Sequence, residues 1–228
     1  MNDFRYQYLS NCNNPEKWII FLHGYNNTID EMSHVFNSLL DKTSRLGIIV
    51  PIGKHTSSTD INRHSWWKIS GFDAKGKRLD PQTDITEIAN IYNQAGNIAF
   101  ATASELNVFI DKLQQQYNFS DAQTSIVGFS QGAMLSLWTA LSRTKKINAC
   151  FSLSGLVIAA NLLKNNIKTH PNIYLMHGKK DKQVQHKCLE YSVQTLKDFG
   201  LKPVAITYEN LGHEVITEQT DFIASVLK

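Results

Sequence analysis

One short stretch, Ser125-Ile-Val-Gly-Phe-Ser-Gln-Gly-Ala133, sets the frame for the rest of the chain. An apolar run enters Gly128, Ser130 and Gly132 at Gly-x-Ser-x-Gly spacing, and a helix pattern follows at once. This is the sequence form of a sharp strand-to-helix turn whose middle residue is strained and pushes its hydroxyl out above a sheet. The flanking glycines are a steric need, because a Cβ at either place would meet neighbouring backbone in so tight a turn. The backbone N–H of Gln131 falls at a helix N-terminus, where it faces an anion forming beside Ser130.

Strands and helices alternate around this turn. Trp18–Leu22 is a continuous apolar run, as expected of a strand covered on both faces, and Phe4–Leu9 alternates like an edge strand. Thr28 and Glu31 stand at capping-box spacing before Met32, Val35, Phe36, Leu39 and Leu40, which recur at helical spacing. Leu46–Val50 reads as the next strand, stopped by Pro51, and Leu106, Phe109, Ile110, Leu113 and Tyr117 form a helical stripe. Past the turn come a helix over 131–142, strands over 149–155 and 172–178, and a helix over 187–199 ended by Gly200. A last strand over 203–208 and a last helix over 214–227 complete the pattern. The alternation predicts the α/β class: one domain over 1–228, with a mainly parallel, doubly wound sheet and helices on both faces. From 51 to 94 the pattern is irregular and rich in Gly, Asp, Lys, Ser and Thr. That length of loop implies a function, and we expect an excursion over the active-site edge that acts as a lid, with a short helix near 84–92.

The charge balance narrows the partners. A net charge of +3 with acids and bases interspersed argues for neither nucleic acid nor a membrane surface. Cys12, Cys150 and Cys188 stand far apart, in odd number and without C-x-x-C spacing, which speaks against a disulfide framework or a zinc site. The N-terminus has no basic-then-apolar signal pattern, and no apolar stretch reaches the roughly 18 residues of a membrane span. A cytoplasmic chain with no membrane span is the expectation. No metal and no cofactor are implied.

A serine hydroxyl is a poor nucleophile until a base takes its proton and a third group orients that base. In this topology the acid and the base follow later strands, in the order Ser, Asp, His. Asp181 follows the strand ending His177-Gly178, and His213 follows the last strand in Leu211-Gly212-His213, which puts both on the edge that carries Ser130. A solvated acid in a lysine-rich turn is the bland alternative for Asp181, but Asp198 and Asp221 fall inside helices and face elsewhere. His177 is expected to pack beneath the Asp181 loop. The loop His23-Gly24-Tyr25 follows the early buried strand, so the N–H of Tyr25 pairs with that of Gln131 as a candidate oxyanion donor. His23 itself is expected to brace that loop. Trp66 and Trp67, with Ile69 and Phe72, either line an acyl-binding groove or cap the sheet as peripheral core.

The chain resembles the phospholipase/carboxylesterase family of α/β-hydrolases, which includes the acyl-protein thioesterases. The motifs are Phe21-Leu-His-Gly24, Ser65-Trp-Trp67, Gly128-Phe-Ser-Gln-Gly-Ala133, Leu153-Ser-Gly155, His177-Gly178 with Asp181, and Gly212-His213. They keep their order from about residue 17 to 228. The resemblance implies Ser130, Asp181 and His213 as triad and Tyr25 and Gln131 as oxyanion donors. It also implies cofactor-free hydrolysis of a small-molecule ester, a lysophospholipid or an acylated protein, by a monomer or homodimer. Departures from the family pattern touch substrate range: Tyr25-Asn26-Asn27 replaces Leu-Gly-Asp, Lys68 replaces an Asp, and Lys182-Gln-Val-Gln185 loses two prolines. The alternatives are a small-molecule esterase or peptidase without long-acyl preference, and a non-catalytic binding protein on the same fold.

Overall fold

The computed structural model describes residues 3–69 and 71–228. Strands β1 (Tyr6–Ser10), β2 (Lys17–Leu22) and β3 (Leu46–Pro51) open the chain, with helix α1 (Ser33–Lys42) between the second and third. A small antiparallel hairpin, β4 (His55–Thr56) and β5 (His64–Ser65), leads to α2 (Ile85–Asn93) and the 22-residue α3 (Gly96–Tyr117). Then follow β6 (Thr124–Phe129), α4 (Gln131–Ser142), β7 (Ala149–Leu153), α5 (Ala160–Lys164), β8 (Asn172–Gly178), α6 (Lys187–Asp198), β9 (Val204–Tyr208) and α7 (Thr217–Val226). The main sheet has the order β1-β3-β2-β6-β7-β8-β9 and is parallel except for β1, which runs antiparallel to β3 at one edge.

The two faces sort by alternation along each strand. Trp18, Ile20 and Leu22 face α2, α3, α4 and α6, whereas Ile19 and Phe21 face α1 and α7. Both faces are covered: every residue of β6 and β7 is buried, Thr124, Ser125 and Ser152 included. Helix α4 is buried along its whole length, which matches a sequence apolar all round rather than along one stripe. The capping-box bonds form as the spacing predicts, with Glu31 N–H donating to Thr28 Oγ1 and Thr28 N–H donating to the Glu31 carboxylate. They open a 3-10 turn over Asp30–Met32, however, after which α1 begins at Ser33 with no side-chain cap.

Several elements differ from the sequence reading, among them the short helix α5, which it passed over, and α7, which begins at Thr217 rather than at 214. The edge strand lies at Tyr6–Ser10, later than the alternation of Phe4–Leu9 placed it, because Phe4 turns inward to pack on Trp66 and Phe109. Helix α3 starts at Gly96, well before its aliphatic stripe, since its first turns bury only Gly96, Ala99 and Ala103, while Ile98 and Phe100 stand exposed and off the stripe. The excursion after β3 carries the β4–β5 hairpin and a 3-10 turn (Lys77–Leu79) besides the expected short helix. No helix among the described residues is long and apolar enough to cross a membrane.

Candidate active site

β6 ends at Phe129 and α4 begins at Gln131, so Ser130 alone makes the turn between them. It does so at φ 55° and ψ −117°, a left-handed backbone that a β-bearing residue adopts at a cost of about 1–3 kcal/mol. Its N–H donates to Leu153 O at 2.9 Å, and its carbonyl accepts from Ala133 and Met134, so both neighbouring elements hold the strained residue. The glycines are needed as expected. A Cβ on Gly128 would meet Gly132 O at 2.2 Å, and one on Gly132 would meet Leu22 O at 2.0 Å.

The parallel strands bring three loops to this turn. His213 Nδ1–H donates to Asp181 Oδ2 at 2.7 Å, and Ser130 Oγ–H donates to His213 Nε2 at 3.0 Å. A carboxylate only accepts, so the hydrogen at Nδ1 leaves Nε2 with its lone pair towards the hydroxyl. Asp181 is fixed in turn: its Oδ1 accepts the N–H groups of Gln183 and Val184 at 2.8 and 2.9 Å. Burial alone would raise the Asp181 pKa. The nearby His177, the His213 hydrogen bond and charge, and the Val184 N–H outweigh it and hold the carboxyl well below the usual carboxylate range. His177 packs under the loop, donating from Nε2 to Val184 O at 2.7 Å and standing 3.5 Å from Asp181 Oδ2.

The loop after β2 lies against the same turn. A Cβ on Gly24 would stand 3.4 Å from that of Ser130, so Tyr25 follows directly beside it, with its ring part-exposed in the same cavity. Gln131 is the first residue of α4, and its N–H therefore has no partner in the preceding turn. His23 braces the loop: its Nδ1–H donates to Gly24 O at 2.7 Å, its Nε2 accepts the Gly53 N–H at 3.0 Å, and its ring stacks on Trp66. Burial lowers its pKa to about 4, which keeps the ring neutral and able to accept.

Trp66 corrects one expectation. It is 2% exposed, its Nε1–H donates to His23 O at 2.8 Å, and it does not reach the cavity that holds Ser130. Its size and its single polar atom are both used in the core, where it fixes the loop after β2. Phe72 likewise packs on the core beside the cavity, while Trp67 and Ile69 do line it. The sequence reading also passed over the side chain of Gln131. Its Oε1 accepts the Trp66 N–H at 2.8 Å and its Nε2–H donates to Trp67 O at 2.9 Å, clamping the excursion to the turn. The turn itself needs only the backbone at that position, so a long buried amide there was the available signal. Arg78, Tyr92 and Gln183, also unforeseen, complete the wall of a cavity of about 310 Å³. Among the described residues no group of three or more His, Cys, Asp or Glu side chains is placed to hold a metal ion.

A largely parallel sheet with helices on both faces, and a serine, histidine and aspartate joined at its carboxyl edge, define the class: an α/β-hydrolase. A sequence model of the phospholipase/carboxylesterase family matches residues 9–228, and the chain belongs to that family. Among curated proteins, acyl-protein thioesterase 1 homolog 1 of Dictyostelium discoideum is 28% identical over 179 residues, which cover 78% of this chain and 72% of that one. Acyl-protein thioesterase 1 of Neurospora crassa is 24% identical over 225 residues, covering 92% and 84%. The crystal structure of esterase PE8 superposes with a TM-score of 0.82 at 22% identity, covering 99% of this chain and 98% of that one. That of Zea mays acyl-protein thioesterase 2 gives 0.71 at 19%, covering 99% and 100%. At those identities the structural likeness speaks for the fold.

Proposed function

We propose that the chain is a serine hydrolase that cleaves carboxylic esters or thioesters through an acyl-enzyme, with Ser130, His213 and Asp181 as its triad. The observation that carries this reading is the unbroken hydrogen-bond relay from Ser130 Oγ to the Asp181 carboxylate, mounted on a strained turn. Ser130 Oγ attacks the acyl carbon while His213 Nε2 takes its proton. The tetrahedral oxyanion lies against the N–H groups of Tyr25 and Gln131. Collapse expels the alcohol or thiol, which leaves with the proton from Nε2. Water then attacks the acyl-enzyme by the same route and releases the carboxylic acid and Ser130. Asp181 stays ionised throughout and holds the imidazole in its tautomer.

Family membership supports acyl substrates. The cavity of about 310 Å³ sits at the small end of ligand pockets, which favours a small-molecule ester over a long acyl chain. Three free cysteines support a reducing, cytoplasmic setting. We read the segment over 51–94 as the wall of the site and as its lid. The test is hydrolysis of para-nitrophenyl esters from acetate to palmitate. Ser130→Ala and His213→Ala should each lower turnover by roughly three to six orders of magnitude. A loss below tenfold in folded protein would remove the assignment.

A further inference from the structure

Resting on the hydrolase reading, we propose that Arg78 is a specificity-determining residue and that the substrates are esters carrying an anionic group, a carboxylate or a phosphate. Among the described residues, Arg78 is the one fixed cation lining the cavity of Ser130 and His213, and no carboxylate lines it. The polar groups around it, Asn27, Tyr92 and Gln183, are neutral. Burial pushes the Tyr92 phenol up to about 12, so that ring adds no negative charge at neutral pH.

The guanidinium is held in place yet not used up. Asp73, 5% exposed at its side chain, accepts the N–H groups of Lys77 and Arg78 at 2.7 and 3.0 Å and stands 3.6 Å from Arg78 Nε. The Arg78 carbonyl accepts from Gln185 Nε2 at 2.8 Å, which ties the 3-10 turn to the Asp181 loop. Beyond Nε, the guanidinium makes one long hydrogen bond to backbone, from Nη1 to Gln183 O at 3.3 Å, and lies within hydrogen-bond reach of the Tyr92 hydroxyl. Guanidinium N–H donors beyond these contacts remain for a ligand, at a side chain 20% exposed on the wall of the cavity. Asp73 is not among the residues that line the cavity, and its contact is to Nε, which leaves the Nη side of the guanidinium to a ligand. A planar, part-desolvated guanidinium in such a setting recognises carboxylate and phosphate oxygens better than a lysine would.

The experiment compares kcat/KM for matched esters: para-nitrophenyl butyrate against mono-para-nitrophenyl succinate, and butyrylglycerol against its glycerol phosphate counterpart. The first pair places the anion on the acyl side and the second on the alcohol side. Wild type should prefer the anionic member of one pair about tenfold or more, and Arg78→Ala should cut that ratio by a similar factor, chiefly through KM. Arg78→Lys should restore part of it. A loss equal for neutral and anionic esters, or no anionic preference in wild type that hydrolyses neutral ester, overturns the proposal and leaves the hydrolase reading standing. No hydrolysis of any ester, together with no labelling of Ser130 by a fluorophosphonate, removes both.

Discussion

His23 stays neutral in the folded chain until the pH falls to about 4, because burial disfavours the imidazolium and its Nε2 accepts the Gly53 N–H. In the unfolded chain the same ring protonates near 6.5, so between those values the unfolded state binds the extra proton. Stability is therefore present in full above about 6.5 and is lost as pH falls towards 4, by about 3 kcal/mol from this ring. Asp181 acts in a separate, lower window: its pKa is depressed, so its contribution is full above the ordinary carboxylate range and is lost as pH falls through that range towards the lower folded value. Urea midpoints measured from pH 7 to pH 4 should fall less steeply in His23→Gln than in wild type. Ring NMR signals of His23 should also remain those of the neutral form at pH 5.5. A protonated His23 at that pH, or equal slopes in the two proteins, would contradict the account. Such bracing was legible at this scale from His23-Gly24 after a buried strand. Its partner was not, because Gly53 and Trp66 come from chain segments with no readable period.

Helix α4, the turn before it and the excursion over 51–94 act together through one side chain. Gln131 is 2% exposed and spends both its amide atoms on the backbone of Trp66 and Trp67. Gln131→Ala keeps the backbone donor of the proposed oxyanion site but orphans a buried N–H and a buried C=O. We expect a loss of about 2–4 kcal/mol in stability and faster hydrogen exchange over 51–69, with kcat/KM falling tenfold or more. If the excursion is a lid, exchange over 71–82 should slow once Ser130 carries a covalent inhibitor. Unchanged exchange in both experiments would leave the clamp and the lid without support. The regular elements around this region were legible because apolar runs and helical stripes leave a period. The excursion was not, since its conformation comes from scattered pairs such as Arg63 with Glu31 and Lys187 with the Pro81 and Thr83 carbonyls. Trp66 and Trp67 show the limit most plainly: adjacent indoles of identical chemistry are both buried in the core, yet only Trp67 also lines the cavity.

For the molecule as a whole, topology does what sequence distance conceals. Ser130, Asp181 and His213 lie on three loops that parallel strands β6, β8 and β9 deliver to one edge of the sheet. That convergence was legible from the order of strands and loops, because a parallel sheet sends every strand's carboxyl end the same way. The cavity's charge was not, since Arg78 reaches the site from a 3-10 turn with no motif of its own. The central claim is that Ser130 is an activated nucleophile that forms a covalent acyl-type adduct. Intact-protein and peptide mass spectrometry after brief exposure to a fluorophosphonate tests it most directly. The account predicts one adduct per chain, on Ser130, formed at least about a hundredfold more slowly in His213→Ala. An adduct elsewhere, no adduct on folded protein, or equal labelling without His213 would contradict it.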